Sequence, residues 1–311
     1  MIKHVFIVNP TAGPRSAQQE VAEKLQPYQD KLDISMHVTR GPGDASGFVR
    51  AACQGHDGPI RFYACGGDGT LNEVVNGAYG FDHAAVGCYP CGSGNDYVKY
   101  YGDKAAFLDL ARQFAGEEQA VDLMAVGSRY AINMVHFGFD SLVAQTMHRV
   151  RRRPLIGGSN AYYTGVLSAF FKPFANACQV WVDGEAINED HLLLCTIACG
   201  QYVGGSFRSA PKSDNQDGLA DICLVKPISR LRFLGLIDAY THGTHLDDPR
   251  LRDALVYRRG RSIRAQMPAA FPVSMDGELV HLKDWELQLL PRALRFVVPQ
   301  GAGPIAEQHT T

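Results

Sequence analysis

Residues 66–73 read Gly-Gly-Asp-Gly-Thr-Leu-Asn-Glu and follow directly on the apolar run 60–65, which has the character of a buried strand. The next residues, 74–79, can continue as a helix. A strand that feeds a glycine turn at a helix start is a ready anion site, because unpaired backbone N–H groups and the helix dipole both favour phosphate. Glycine permits positive φ and lets the backbone approach a ligand closely. Asp68, Thr70, Asn72 and Glu73 add polar side chains to those amides. The loop lacks the Gly-x-x-x-x-Gly-Lys-Ser/Thr pattern of a P-loop and the Gly-x-Gly-x-x-Gly dinucleotide fingerprint, so it points to phosphate handling outside those two classes.

The first third alternates strand and helix signals. Residues 3–8 are apolar and β-branched and stop at Asn9-Pro10-Thr11-Ala12-Gly13. Residues 16–25 carry Val21, Ala22 and Leu25 on one helical stripe, 34–39 alternate as a strand, and Asp44 is expected to cap a helix bearing Phe48, Val49 and Ala52. Strand 60–65, helix 70–79, strand 84–89 and a helix near 103–114 follow. This repetition predicts a parallel sheet covered on both faces. Ligands of such sheets bind beyond the carboxyl ends of the strands. The Gly- and Asn-rich loops fall at such ends, after Val8, Thr39, Cys65 and Tyr89.

From about residue 121 the signals are mostly strands: 122–126, 130–137, 178–182, 191–198, 220–225, 261–265 and 285–290, with a helix at 160–171. Turn signals at Asp183-Gly184 and Asp276-Gly277 suit an antiparallel sandwich. The expected fold class is therefore an α/β nucleotide-binding domain over 1–120 followed by a β-sandwich acceptor domain over 121–290. Residues 291–300 can return a strand to the first domain.

The 311 residues, 46% hydrophobic and 20% charged, suit two globular domains, with disorder expected only after Pro299. A formal net charge of −2 gives no general pull toward nucleic acid or anionic lipid. No apolar run reaches membrane-spanning length; the longest, 161–174, is interrupted by Lys172 and Pro173. With no signal-peptide pattern at the N-terminus, a cytoplasmic protein is expected. Four of the eight cysteines, Cys65, Cys195, Cys199 and Cys223, lie inside apolar runs and read as small core residues. Cys88-Tyr89-Pro90-Cys91 has zinc half-site spacing with no second half.

A second loop, residues 90–97, repeats the logic of the first: its glycines permit close approach, Ser93 brings a hydroxyl, and Asn95-Asp96 can cap the following helix. Asp276-Gly277-Glu278 is either a common hairpin turn or a turn that carries a reactive carboxylate. The stretch 214–218, Asp-Asn-Gln-Asp-Gly, reads as a solvated turn.

Six motifs resemble the catalytic domain of the diacylglycerol kinase family, which includes bacterial lipid kinases and sphingosine kinases. The Gly-Gly-Asp-Gly-Thr loop at 66–70 leads the match. Residues 90–97 resemble Pro-Gly-Gly-Thr-x-Asn-Asp-Phe, with Cys91 and Ser93 as departures. Residues 9–13 resemble the opening Asn-Pro-x-Ser/Ala-Gly turn. Residues 133–140 resemble Asn-x-x-Gly-x-Gly-Phe-Asp, with His136 where glycine is usual. Residues 210–219 resemble Ala-Pro-x-Ala-x-x-Asp-Asp-Gly-x, with Gln216 for the first aspartate, and 274–278 resemble the Val-Asp-Gly-Glu turn.

The resemblance implies an ATP-dependent lipid kinase using Mg²⁺ to phosphorylate a diacylglycerol or related acceptor at a membrane surface, with no nucleic-acid partner and dimerisation among relatives. It implies Asp276 as catalytic base, with Glu278 assisting. It assigns nucleotide contacts to Asn9, Thr39, Gly66, Gly67, Asp68, Gly69, Thr70, Leu71, Asn72, Glu73, Ser93 and Asn95. Asp68, Asp96 and Asp122 are implied as organisers of a catalytic Mg²⁺, and Asp214, Asp217 and the Leu219 carbonyl as a second, structural metal site. Tyr162, Tyr163, Val166, Leu167, Phe170 and Phe171, preceded by Arg149, Arg151, Arg152 and Arg153, suit either a membrane-facing stripe with peripheral attachment or a core helix. Two alternatives stay open: a soluble-substrate kinase of NAD kinase type, and a non-catalytic nucleotide or lipid binder in which Cys91, His136 and Gln216 mark degeneration.

Overall fold

The computed structural model describes residues 1–13, 17–102, 104–139, 141–142, 145, 175–235 and 237–305. The chain divides into two compact units, Met1–Leu123 with Pro291–Thr311, and Met124–Leu290. The division falls inside a strand, three residues beyond the expected boundary. The basic cluster at 149–153 and the aromatic stripe at 162–171 lie outside the described residues.

The first unit runs β1 (Lys3–Val8), α1 (Ala17–Leu25), β2 (Asp33–Val38), α2 (Asp44–Gln54), β3 (Ile60–Gly66), α3 (Asp68–Ala78), β4 (Ala84–Pro90), α4 (Lys104–Leu108), α5 (Leu110–Phe114) and β5 (Glu117–Val126). The strands lie in the order β2-β1-β3-β4, all parallel. Every residue of β3 and β4 is buried. One face packs on Val21 and Leu25 of α1 and Leu110 of α5; α3 is anchored by its buried Leu71, Val74, Val75 and Ala78. Covering both faces is what makes these strands continuous apolar runs without alternation.

Two local expectations change. The helix near 103–114 breaks at Asp109, whose Oδ1 accepts from Ala111 N–H at 2.9 Å and Arg112 N–H at 3.2 Å to cap α5. Asp44 does not cap α2. Gly43, with φ 83°, is the cap residue, and Asp44 Oδ2 accepts from Arg40 N–H and sits 2.8 Å from His37 Nε2.

The second unit contains β6 (Arg129–Ala131), β7 (Met134–Gly138), β8 (Asn176–Ala177), β9 (Gln179–Val182), β10 (Glu185–Ala186), β11 (His191–Leu192), β12 (Leu194–Ala198), β13 (Ala220–Val225), α6 (Arg230–Leu234), α7 (Ile237–His242), β14 (Leu255–Gly260), β15 (Ser262–Met275) and the start of β16 (Glu278–Val298). Its strands are antiparallel in the order β14-β13-β12-β7-β15-β16. The early half of β15 pairs with β9 and the late half with β7, and the change of partner coincides with a register shift between Gln266 and Phe271. A bulge lets one strand turn a sandwich corner in this way. Alternate residues (Val135 and Phe137, Cys195 and Ile197, Ile222 and Leu224, Ile263 and Ala265) fill the core with Trp285 and Leu287. The architecture is thus a parallel α/β unit plus an antiparallel sandwich-like unit. β16 runs on past residue 290 into the first unit, where Arg295 and Phe296 pair parallel with Ala85 and Val86.

Candidate nucleotide and acceptor sites

In the first unit, the carboxyl ends of β1 to β4 bring Asn9, Thr39, Gly66 and the 91–96 loop to one edge of the sheet. Side-chain and backbone bonds lock these loops together. Asn9 Nδ2 donates to Thr70 Oγ1 at 3.1 Å, and Thr39 N–H to Val8 O at 2.9 Å. Gly66 O accepts from both Cys91 and Gly92 N–H, at 2.9 and 3.0 Å. Asp68 Oδ1 accepts from Asp96 N–H at 2.6 Å. Gly92 must be glycine, since a Cβ there would lie 2.4 Å from Gly67 Cα. The bond from Leu71 N–H to Gly67 O places the amides of Gly69 and Thr70 ahead of the repeating helical pattern, where an anion is favoured.

Some residues expected at the nucleotide have other work. The Leu71 side chain belongs to the core. Glu73 accepts from Gly43 N–H at 2.9 Å and Ala45 N–H at 3.1 Å, so it caps α2 from thirty residues away. Asn95, at φ 51° and buried, accepts from Gly92 N–H and donates to Gly92 O, shaping the loop. Asn72 Oδ1 and its carbonyl receive Asn76 Nδ2. Ser93 stands exposed at the loop tip. Burial pushes the thiols of Cys65 and Cys88 well above their ordinary range, as fits core residues.

In the second unit, Asp276 and Gly277 form the two-residue turn between β15 and β16, with φ 48° and 91° and Met275 opposite Glu278. Both conformations are those of a type I′ hairpin. Asp276 is 6% exposed, and its carboxylate receives three amides: Ile132 N–H at 2.8 Å on Oδ2, and Asn133 and Met134 N–H at 3.0 and 2.8 Å on Oδ1. Glu278 is exposed at the start of β16. The sequence marked the turn but gave no sign of the three amides, which lie more than 140 positions away.

Residues 3–126 match the diacylglycerol kinase catalytic domain, and residues 133–298 match the YegS C-terminal NAD kinase beta sandwich-like domain. The chain belongs to the diacylglycerol kinase catalytic-domain family. The diacylglycerol kinase of Bacillus subtilis (strain 168) is 26% identical over 95% of this chain and 96% of its own length. A YegS-like lipid kinase of Chromohalobacter salexigens is 27% identical over 88% of this chain and 87% of its own. A crystal structure of a diacylglycerol kinase from Bacillus anthracis str. Sterne covers 96% of this chain and 97% of its own, at 20% identity and a TM-score of 0.68. Membership makes the chain a phosphotransferase of a lipid kinase family and implies use of ATP.

Two carboxylates of the first unit converge on one glycine. A Cβ on Gly94 would lie 2.7 Å from Asp68 Oδ2 and 3.5 Å from Asp96 Oδ2, so two carboxylates flank one glycine-lined space. That donor set fits Mg²⁺, which binds through one or two carboxylates and completes its shell with water and phosphate. Lys99 Nζ, 2.6 Å from Asp96 Oδ1, balances part of the charge. Asp122 is not brought into this set. It is fully buried, its Oδ1 accepts from Arg292 N–H at 2.7 Å, and among the described residues no three His, Cys, Asp or Glu side chains form a metal-sized group.

The residues implied for the second metal lie in one turn with its own hydrogen bonds. Asp214 Oδ1 caps Gln216 N–H, Asp217 Oδ1 caps Leu219 N–H, and Asp217 Oδ2 pairs with the Arg259 guanidinium. Gly218 O accepts from Arg261 Nε at 3.0 Å. Arginines 42 and 43 positions downstream supply the positive charge to this turn.

Proposed function

We propose that this chain transfers the γ-phosphate of ATP to a hydroxyl of diacylglycerol or a related lipid. The observation that carries the reading is the interlocked loop set at one sheet edge, where Asn9, Gly66, Asp68, Thr70, Gly92 and Asp96 build an anion cradle in a diacylglycerol kinase family chain. The Gly69 and Thr70 amides would receive the phosphates, and Asp68 and Asp96, which flank Gly94, would hold Mg²⁺. Mg²⁺ held by these residues would supply positive charge to balance the transferring phosphoryl group.

Asp276 faces the acceptor. Its two oxygens already accept three amides, so it suits orienting the hydroxyl and receiving its proton late. A loose phosphoryl-transfer transition state needs little more from a base. The acceptor is a lipid taken from a membrane surface, reached by peripheral attachment from the cytoplasm; among the described residues no helix is long and apolar enough to cross a membrane. Incubation with γ-labelled ATP, Mg²⁺ and either an extracted lipid mixture or NAD⁺ tests the reading. Label in an organic-phase lipid is expected, and label only in the dinucleotide, or in neither, would overturn it.

A further inference from the structure

Three buried polar atoms of the second unit stand beside the Asp276 turn without hydrogen-bond partners: Asn133 Oδ1, His136 Nδ1 and Ser274 Oγ. All three residues are at most 5% exposed. In the β7–β15 pairing Ser274 is directly opposite His136, so their side chains share one face of the sheet, and Thr196 of β12 flanks His136 on the other side. Thr196 Oγ1 reaches Tyr240 OH at 3.3 Å, and Asn133 Nδ2 donates to Tyr202 O at 3.0 Å. The opposite face, with Val135, Phe137, Val273 and Met275, is core. Burial holds His136 neutral, lowering its pKa to about 4. Buried polar groups are normally paired, and three unpaired ones in adjacent segments call for a ligand that pairs them. Met134, whose amide Asp276 holds, lies between two of them in sequence.

We propose that Asn133, His136 and Ser274 recognise the uncharged polar part of the acceptor next to its reacting hydroxyl, and so set headgroup specificity. The proposal rests on the lipid-kinase reading above and refines it. The three atoms comprise a carbonyl oxygen, a hydroxyl and one nitrogen of a neutral ring, and none carries charge. An anionic headgroup would call for guanidinium or ammonium groups, which this set does not contain. Its match is a neutral glyceride with an ester or hydroxyl beside the reacting group.

The test uses the full chain in detergent micelles with ATP and Mg²⁺, comparing dioctanoylglycerol with a long-chain primary alcohol that offers only the reacting hydroxyl. Wild type should prefer the glyceride about tenfold or more in kcat/KM, since a site built for hydrogen bonds rejects a ligand that lacks them. His136→Phe and Ser274→Ala should raise KM for the glyceride, shrink the preference to within about threefold, and leave KM for ATP unchanged. His136→Asn, which keeps a polar group, should retain part of the preference. Each variant is first checked by its melting curve, and dioctanoylglycerol should raise the melting temperature of wild type but not of Ser274→Ala. An undiminished preference in folded His136→Phe and Ser274→Ala would overturn the proposal alone. Absence of any phosphorylated lipid with wild type would overturn the parent reading and this refinement with it.

Discussion

Two hairpins of the second unit are built from the same dipeptide in the same conformation. Asp183-Gly184 joins β9 to β10 with φ 49° and 88°, and Asp276-Gly277 joins β15 to β16 with φ 48° and 91°. The first is exposed, and Asp183 Oδ1 accepts Arg261 and Ser262 N–H at 3.0 and 2.8 Å. In the second, Gly277 is exposed but Asp276 is buried, and both its oxygens are engaged by three amides of a distant segment beside unpaired polar atoms. Turn chemistry is therefore shared, and environment separates a structural turn from a candidate reactive one.

The largest expected difference is in turnover. Asp276→Ala should cut kcat about a hundredfold or more, while Asp183→Ala should leave it unchanged; equal activities in a lipid-labelling assay would erase the distinction. Stability should separate them too. Removing Asp276 strands three buried amides and should cost about 2–4 kcal/mol in denaturant melts. Removing Asp183 should cost about 1 kcal/mol, because its exposed amides can turn to water.

Burial also makes the second unit acid-sensitive. His136 and His245, and His4 in the first unit, are lowered by burial from an ordinary 6.5 to about 4. A depressed histidine adds stability that is present above pH 6.5 and lost as pH falls toward 4, about 2 kcal/mol each between pH 7 and 5. Asp221, raised by burial to about 6, works the other way and returns about 1 kcal/mol over that interval. Melting curves at pH 7 and 5 should show a net loss, smaller by about 2 kcal/mol in His136→Asn than in wild type.

Gly67 gives a contrast from the nucleotide side. Its φ of −99° suits any residue, and an added Cβ would meet nothing closer than Gly92 Cα at 3.4 Å. Gly67→Ala should fold normally and bind ATP–Mg²⁺ about tenfold more weakly by calorimetry. Asp276→Asn should bind ATP like wild type. The smallest effects belong to Gly184→Ala and Gly277→Ala. Both positions have open space and similar φ, so each should cost about 1 kcal/mol, and a much larger loss at one would show that more than the turn conformation matters there.

The strands and the glycine turn into α3 were legible in the sequence because their signals are local. The seven-residue run of β3, the glycines after it and the Asp-Gly turns each carry their conformation in neighbouring residues. What escaped was carried by distant partners. Glu73 looks like a loop ligand until its carboxylate is seen on the α2 amides, and the Arg259 partner of Asp217 lies 42 positions away. The helix break at Asp109 was locally encoded by a capping aspartate but masked by apolar residues on both sides. The burial of Asp276 needs β7 and its preceding turn, which no turn rule contains.

The most direct test sets wild type, Asp183→Asn and Asp276→Asn side by side with γ-labelled ATP, Mg²⁺ and diacylglycerol micelles, each protein verified as folded by its melting curve. Labelled lipid from wild type and Asp183→Asn, with almost none from Asp276→Asn, is the predicted result. Equal labelling by Asp276→Asn would contradict the assignment of the buried Asp276 to the acceptor.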